Sequence, residues 1–206
     1  MIIGLTGPAA AGKNEVAKIL KDKGARVIDV DKIGHDLLLT NKALCRELVA
    51  VFGSQIEKED GLIDRSKLSE IVFKDLTKLK QLGQMMHPLM KSEVRKALRR
   101  SSGQALGPSA DLGASVRRKL VVINAAVLYE MGLVDECDQV WVVMASAKKR
   151  LERLVKHRKI SKAHAQRIIN GQRTKDEYLE IADVVIENEG TLKSLKEKVS
   201  GLSKNL

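Results

Sequence analysis

The sequence predicts an α/β fold built on a parallel sheet, and three observations support this prediction. Short apolar runs of strand length recur along the chain, and amphipathic segments of helical spacing separate them. The first strand, helix and strand fall within about 30 residues, the length of a βαβ unit. Hydrophobic residues make up 44% of the 206 residues and charged residues 31%, which is typical of a chain that folds around one core.

The first βαβ unit begins at the first residue. Residues 1–6 (MIIGLT) form a short apolar run, which predicts a buried strand. Residues 15–23 carry apolar side chains at helical spacing, and Gly24 predicts the end of that helix. Residues 25–30 (ARVIDV) predict the second strand. Because a helix crosses over between them, the two strands are expected to be parallel.

A long helical stretch follows between Lys32 and Arg100. Its apolar residues recur at helical spacing, and the turn signal at 59–61 (EDG) interrupts it. Pro88 predicts a break between two helices, Leu76 to Met86 and Leu89 to Leu98. So long a helical stretch between two strands predicts a substrate-binding insertion.

The second half of the chain returns to alternating strands and helices. Residues 101–116 are rich in Gly, Ser, Ala and Pro and predict an exposed, mobile loop. Residues 120–124 (LVVIN) and 139–144 (QVWVVM) are continuous apolar runs, which is typical of parallel strands buried on both faces. Two basic helices, a last strand and a closing amphipathic helix are then predicted at residues 148–159, 161–172, 183–187 and 192–202.

The bulk composition limits the classes of partner. The formal net charge of +11 favours an anionic partner, such as nucleic acid, a membrane surface or a polyphosphate. One Trp, two Tyr and two Phe are too few for a base-stacking platform, and no run approaches the about 20 apolar residues of a membrane span. The basic residues are dispersed, which predicts that most of them lie on solvated helix faces. We therefore expect neither nucleic acid nor a membrane as the partner.

The cysteines and the first residues predict the compartment. Cys45 and Cys137 lie far apart and outside any metal-binding spacing, so we expect two buried thiols in a reducing cytosol. No basic segment precedes the first apolar run, and that run reaches glycine and lysine too soon for a secretory signal. These features predict a cytoplasmic protein.

The most specific motif lies between the first strand and the first helix. Residues 7–14 read GPAAAGKN, which matches the GxxxxGK pattern of a phosphate-binding loop in the position that such a loop requires. Successive backbone N–H groups at a helix N-terminus bind phosphate oxygens, and the two glycines permit a close approach of the backbone. Lysine adds a charge that can reach the β- and γ-phosphates. The alternative is a glycine-rich turn without a ligand. The predicted nucleotide-binding residues are Ala9, Ala10, Ala11, Gly12, Lys13, Asn14 and Glu15.

Asn14 departs from the motif. Ser or Thr is expected at this position, because its hydroxyl ligates Mg²⁺. An amide oxygen can also ligate Mg²⁺ or hold one of its waters, since hard cations accept carbonyl oxygens. Asn14 is therefore the predicted metal-binding residue, and the alternative is that it merely caps the helix.

Two carboxylates follow the second predicted strand. Ligands of parallel sheets bind at the carboxyl ends of the strands, so Asp29 or Asp31 is expected to face the same crevice as Lys13. A carboxylate there can accept the proton of an attacking hydroxyl group or orient that group. The alternative is that both residues cap a helix or form a turn.

Six blocks of the sequence resemble the dephospho-CoA kinase family. They occur in family order and span nearly the whole chain, so they are more specific than the phosphate loop, which many unrelated NTPases share. The blocks are residues 3–13 (IGLTGPAAAGK), 27–38 (VIDVDKIGHDLL), 59–73 (EDGLIDRSKLSEIVF), 87–90 (HPLM), 130–143 (EMGLVDECDQVWVV) and 181–195 (IADVVIENEGTLKSL).

The resemblance implies a fold, a reaction and its substrates. The fold is a P-loop NTPase-type parallel five-stranded sheet with flanking helices, a helical acceptor-binding insertion and a basic lid. The reaction transfers the γ-phosphoryl group of ATP, with Mg²⁺, to the ribose 3′-hydroxyl of dephospho-CoA, the last step of coenzyme A biosynthesis. We expect a monomer or weak homo-oligomer with one kinase domain, in which the core is 1–31, 117–147 and 176–206, the helical CoA-binding part 32–100, the loop 101–116 and the lid 148–175.

The resemblance also implies the roles of individual residues. Asp31 matches the second Asp of the family's D-x-D motif and is the predicted base, with Lys13 and Arg153 as further catalytic residues. Asn188 and Gly190 match a loop near the adenine, although such a pair also forms ordinary turns. The predicted acceptor-binding residues are His35, Asp64, Arg65, His87 and Pro88. His87, taken alone, is also typical of a structural helix-end residue.

The predicted lid carries several basic side chains. Arg153, His157, Arg158 and Arg167 are predicted phosphate clamps, because the charge that develops on the transferring oxygens needs neutralising. The alternative for each of them is a solvated helix face.

The chain departs from the family pattern at a second position. Asn124 stands where the family usually has an acidic residue, so together with Asn14 it removes two anionic or hydroxyl groups expected near the metal. This leaves a catalytically weakened nucleotide-binding regulator open as an alternative function. Two further alternatives are another small-molecule nucleoside or nucleotide kinase and nucleic-acid binding through the basic lid.

Overall fold

The computed structural model describes residues 1–101, 120–158 and 160–205. The predicted loop at residues 101–116 lies outside these ranges apart from Ser101, which ends a helix. The helices and strands follow one another in the order β1 (Ile2–Thr6), α1 (Lys13–Asp22), β2 (Arg26–Asp29), α2 (Val30–Thr40), α3 (Lys42–Phe52), α4 (Arg65–Val72), α5 (Leu76–Ser101), β3 (Val121–Asn124), β4 (Gln139–Met144), α6 (Ala147–Arg158), α7 (Lys162–Asn170), α8 (Lys175–Leu179), β5 (Val184–Glu187) and α9 (Leu192–Leu202).

The five strands form one parallel sheet, as the apolar runs predict. Their order is β2-β3-β1-β4-β5, so β1 lies at the centre and its carboxyl end is the start of the phosphate loop. All four residues of β3 are buried, and so are the four central residues of β4. Burial on both faces explains why these strands read as continuous apolar runs rather than as alternating ones.

The core lies between this sheet and the helices α1 and α9, which pack against each other. The helices contribute their apolar stripes, and the central strands contribute the residues of one face of the sheet. Burial of one large apolar side chain contributes about 1.5–3 kcal/mol, so this cluster holds the phosphate loop on a rigid base. Its buried members include Ile3, Leu5, Val16, Leu20, Trp141, Val143, Leu195 and Val199.

The chain divides into two compact units. One comprises Met1–Asp29 and Arg95–Leu206 and contains the sheet; we call it the sheet unit. The other comprises Val30–Val94 and is called the helical unit. The helical unit has buried apolar residues of its own, which include Leu38, Leu44, Leu48, Phe52, Ile56, Leu68, Val72, Met86, Met90 and Val94.

The predicted break at Pro88 is wrong. Helix α5 is continuous from Leu76 to Ser101 and contains Pro88 in its interior. Proline removes one hydrogen bond from a helix and crowds the preceding turn. Here Met86 and Met90 are buried on either side of Pro88, so packing of the apolar stripe outweighs the lost hydrogen bond.

Helix α8 is an element that the apolar pattern of the sequence does not predict. It is short and begins with a capping box, in which the Thr174 hydroxyl accepts from the Glu177 N–H and the Glu177 carboxylate accepts from the Thr174 N–H. The Thr-x-x-Glu spacing that carries this cap is visible in the sequence. The segment was not predicted as a helix because five residues are too few to show apolar residues recurring at helical spacing.

The described residues also test the predictions on cysteines and membranes. Cys45 is buried, Cys137 is half-buried, and both are free thiols. Burial raises the pKa of both, that of Cys137 to about 12, so the described surroundings favour the unreactive thiol form. None of the helices in the described part of the chain combines the length and the apolar character that a membrane span requires.

Candidate active site

The phosphate loop connects β1 to α1 and needs glycine at two of its residues. Gly7 has a φ of +136° and Gly12 a φ of +109°, a region that favours glycine. A Cβ on Gly7 would collide with the backbone oxygen of Val143, and one on Gly12 would collide with the side-chain amide of Asn188. The two glycines therefore allow the loop to lie close to the ends of β4 and β5.

Ala10 at the centre of the loop adopts a left-handed conformation, with a φ of 60°. Among the described residues it is the one non-glycine residue with a positive φ. Such a residue costs about 1–3 kcal/mol and persists where surrounding contacts over-determine it. The contacts that hold Ala10 and its neighbours come from α6, from the residue that follows β5 and from Gln172.

Two arginines and an asparagine donate to the carbonyl oxygens of the loop. Arg153 donates to Ala10 O at 3.0 Å and to Ala11 O at 3.1 Å, and Arg150 donates to Ala9 O at 3.0 Å. The side-chain amide of Asn188 donates to Ala11 O at 2.7 Å. A peptide whose carbonyl points towards these donors points its N–H the opposite way. The peptides of Ala9 O and Ala11 O therefore turn the N–H groups of Ala10 and Gly12 away from these donors, whereas the Ala11 N–H donates to Pro8 O at 3.2 Å within the loop.

Lys13 is the first residue of α1 and is buried. Its Nζ donates to Gly7 O at 2.6 Å and to Pro8 O at 3.2 Å. The ammonium group therefore lies over the first residues of the loop. This end of the loop is where the lysine of such a motif meets the β- and γ-phosphates.

Asn14 and Asn124 meet at the carboxyl edge of the sheet. Asn124 is the last residue of β3 and lies in register with Leu5 of β1 and Asp29 of β2. Its side-chain nitrogen donates to Asn14 Oδ1 at 3.0 Å. The Asn124 side chain is only 3% exposed, and its Oδ1 is buried without a hydrogen-bond partner among the described residues. A buried amide oxygen without a partner is costly, and it marks a place where a water or a cation fits.

The residue predicted for the adenine loop also contacts the phosphate loop. Asn188 follows β5, is buried, and donates through its backbone N–H to Met144 O at 2.8 Å. Its carbonyl oxygen accepts from Arg153 at 2.9 Å. Gly190 lies two residues further on, is exposed, and faces Ser194 of α9. The role of both residues at the adenine stays a prediction.

Several predicted site residues lie in the helical unit. Asp31 is exposed in the first turn of α2. His35 of α2 and Arg65 of α4 meet each other, with 3.0 Å between His35 Nδ1 and Arg65 Nη1. Because arginine can only donate, Nδ1 of His35 accepts in this contact. The structure thus brings two of the predicted acceptor-binding residues together.

Asp64 is the N-cap of α4. Its carboxylate accepts from the backbone N–H groups of Ser66 at 3.0 Å and Lys67 at 3.2 Å. The hydrogen bond from Lys67, followed by that from Ser66, holds the pKa of Asp64 below its ordinary value. Capping accounts for an aspartate at this position, so its contact with an acceptor stays a prediction.

The remaining predicted residues lie on helix surfaces. His87 and Pro88 are in the middle of α5, where His87 packs against Gly83. Arg167 is exposed on α7. His157 and Arg158 lie at the end of α6, and their side chains are outside the described part of the chain.

Sequence reasoning missed two residues beside the phosphate loop, Arg150 and Gln172. Arg150 is 8% exposed, which contradicts the expectation of a solvated face at this position. Gln172 follows α7 and accepts through Oε1 from the Ala9 N–H at 3.0 Å. The spacing could have indicated Arg150, because Arg150 and the predicted Arg153 are three residues apart and so lie on one face of α6.

Comparison with known proteins decides the family. The dephospho-CoA kinase family model (CoaE) matches residues 1–194. The chain belongs to the dephospho-CoA kinase family. This membership confirms the resemblance of the six sequence blocks.

Two relatives of the dephospho-CoA kinase family show the extent of the likeness. The chain is 35% identical over 199 residues to a dephospho-CoA kinase of Fusobacterium nucleatum, covering 97% of this chain and 95% of the relative. It is 36% identical over 198 residues to one of Moorella thermoacetica, covering 96% of this chain and 88% of the relative.

Solved structures of similar fold include protein TT1252 from Thermus thermophilus, with a TM-score of 0.76, 25% identity and coverage of 100% of this chain and 97% of that one. Dephospho-CoA kinase from Campylobacter jejuni has a TM-score of 0.68, 21% identity and coverage of 98% and 95%, so it supports the fold alone.

Proposed function

We propose that the protein transfers the γ-phosphoryl group of ATP to the ribose 3′-hydroxyl of dephospho-CoA, which gives coenzyme A. The observation that carries the proposal is membership of the dephospho-CoA kinase family over residues 1–194, and the contacts of Lys13 and Arg153 with the phosphate loop support it. The family also favours a cytoplasmic enzyme that acts on two small-molecule substrates.

ATP binds at the phosphate loop through backbone N–H groups that point away from the arginine and asparagine side chains. Lys13 neutralises part of the charge on the β- and γ-phosphates. Arg153 and Asn188 hold the loop in this conformation through Ala11, so Arg153 acts on the phosphoryl donor through the loop. Phosphoryl transfer requires that the reactants are positioned and that the charge on the phosphoryl oxygens is stabilised, and these residues contribute to both.

Asp31 orients the 3′-hydroxyl and accepts its proton. The first turn of α2 favours a carboxylate there, because it lies near the positive end of the helix dipole. The helical unit holds the acceptor through His35, Arg65, Asp64, His87 and Pro88. Of these, the His35–Arg65 pair offers a guanidinium for an anionic group of dephospho-CoA.

Mg²⁺ fits the pair of amides at the carboxyl edge of the sheet. The buried Oδ1 of Asn124 has no hydrogen-bond partner within the described ranges, and Asn14 Oδ1 accepts from the nitrogen of the same amide at 3.0 Å. Amide oxygens are acceptable ligands of hard cations and of their waters, so Asn14 and Asn124 would hold the ion. When bound, Mg²⁺ neutralises charge on the β- and γ-phosphates.

A coupled assay with ATP, Mg²⁺ and dephospho-CoA tests the proposal, with formation of coenzyme A as the measured product. We expect turnover that depends on all three components. ATP binding without coenzyme A formation would contradict the proposal and favour the nucleotide-binding regulator, which the two asparagines at positions 14 and 124 leave open. A panel of nucleoside and nucleotide acceptors in the same assay tests the other small-molecule kinases.

A further inference from the structure

Two side chains form hydrogen bonds with the backbone N–H and the carbonyl oxygen of Ala9 in the phosphate loop. Its N–H donates to Gln172 Oε1 at 3.0 Å, and its carbonyl oxygen accepts from Arg150 Nε at 3.0 Å. Arg150 Nη2 also donates to the same Oε1 of Gln172, which closes the ring of contacts. Arg150 lies in α6 and Gln172 lies in the segment after α7, so α6 and this segment meet at one residue of the loop.

The Arg150 guanidinium is a buried charge with neutral acceptors. It is 8% exposed, and its acceptors among the described residues are a backbone carbonyl and a side-chain amide. Burial lowers its pKa from the ordinary value, in keeping with a costly environment for a cation. A protein keeps a buried charge without a carboxylate partner only at a cost, so the charge itself needs an explanation.

The position of Ala9 in the phosphate loop explains why a buried charge is kept at Arg150. Lys13 Nζ contacts Gly7 O and Pro8 O, so the first residues of the loop lie at the end that receives the β- and γ-phosphates. A cation behind that end adds to the positive potential of the loop, and a bound triphosphate supplies the missing negative charge. The cost of the buried cation is therefore offset on ATP binding.

We propose that Arg150 and Gln172 are positioning residues for the phosphoryl donor. Gln172 orients the Arg150 guanidinium towards Ala9 and, being neutral, leaves the charge of Arg150 unneutralised. The charge of Arg150 then strengthens the binding of ATP. This inference rests on the proposed function only in taking ATP as the ligand of the loop. It assigns to the α6–α7 pair a role in ATP affinity that is independent of the acceptor.

The substitution Gln172→Glu separates this role from a merely structural one. A carboxylate keeps the shape and the acceptor oxygen but pairs with Arg150, so it stabilises the fold and cancels the charge. We expect the ATP dissociation constant, measured by titration calorimetry without acceptor, to rise about tenfold, while the melting temperature is unchanged or higher. The matched control is Gln166→Glu, which adds the same charge to an exposed position of α7 and should leave both quantities unchanged.

Two results of that experiment would overturn the proposal. One is an ATP affinity of Gln172→Glu equal to that of the control, and the other is a lower affinity accompanied by a lower melting temperature. Arg150→Met gives a second test, with Lys156→Met on the exposed face of α6 as its control. We expect a rise of about tenfold in KM for ATP and none in KM for dephospho-CoA. Equal rises in both KM values would count against a role at the donor.

The failure of this inference is distinguishable from failure of the proposed function. If the wild-type protein binds ATP but forms no coenzyme A, the proposed function fails and the calorimetric comparison still applies. If Arg150→Met does not fold, Gln172→Glu decides alone, because glutamine and glutamate have nearly the same shape.

Discussion

The sheet unit and the helical unit build their candidate sites from different groups. In the sheet unit the proposed binding groups are backbone amides of one loop, and the buried Arg150 and Asn188 together with the half-buried Arg153 donate to the carbonyl oxygens of that loop. In the helical unit the candidate groups are side chains on helices, such as the exposed Asp31. The difference predicts that binding of the phosphoryl donor depends on the shape of the loop backbone, whereas binding of the acceptor depends on individual side chains.

The largest expected effect comes from a single functional group in the helical unit. Asp31→Asn removes the proposed base, so kcat should fall about 10²- to 10⁴-fold while the ATP dissociation constant stays unchanged. Steady-state kinetics and calorimetry measure the two quantities. Asp36→Asn, on the same helix, is the control and should keep wild-type turnover. Near-wild-type turnover of Asp31→Asn would remove Asp31 from the base role.

The backbone dependence of the donor site is tested at Gly7. Gly7→Ala places a Cβ against Val143 O at a positive φ, so we expect a loss of about 2–4 kcal/mol in the free energy of unfolding and weaker ATP binding. Gly24→Ala is the matched control, because Gly24 also has a positive φ but none of the described residues comes within 4 Å of the place that its Cβ would occupy. Its cost should be about 1 kcal/mol, with ATP affinity unchanged. Equal effects of the two substitutions would show that close packing of the loop is unimportant.

The acceptor site is tested at Arg65. Arg65→Ala removes the guanidinium that contacts His35, so KM for dephospho-CoA should rise about tenfold while KM for ATP stays the same. Arg46→Ala in α3 removes an exposed arginine of the same unit and serves as the control. A rise in KM for ATP alone would contradict the assignment of Arg65 to the acceptor.

The smallest effect is expected from the pH dependence at Asp64. Its pKa is lowered in the folded state, so the ionised cap stabilises the fold above the ordinary pKa of 3.8, and this contribution is lost as the pH falls through the lower, folded-state pKa. Asp64→Asn keeps a capping oxygen without the charge. We expect its melting temperature to lie slightly below that of the wild type at neutral pH, and the gap to close in acid. A gap that is constant with pH would contradict this origin.

Most of the fold and part of the site could be predicted because their signals are local. The five strands read as apolar runs, and helix 192–202 has the observed bounds, since periodicity depends on neighbouring residues. The phosphate loop is a backbone motif with glycines at fixed spacing, so its place between β1 and α1 was also predictable. The family was accessible too, because its motifs follow one another along the chain.

Tertiary structure alone decided the features that depend on distant contacts. Asn188 meets Ala11, which lies 177 residues away along the chain, and Asn124 meets Asn14 across 110 residues. The helix through Pro88 and the burial of Arg150 likewise depend on what packs around them. The sequence by itself determined which backbone segments form strands, helices and the phosphate loop, because local periodicity specifies them. It left open which side chains hold that loop, because their partners become neighbours only when the chain has folded.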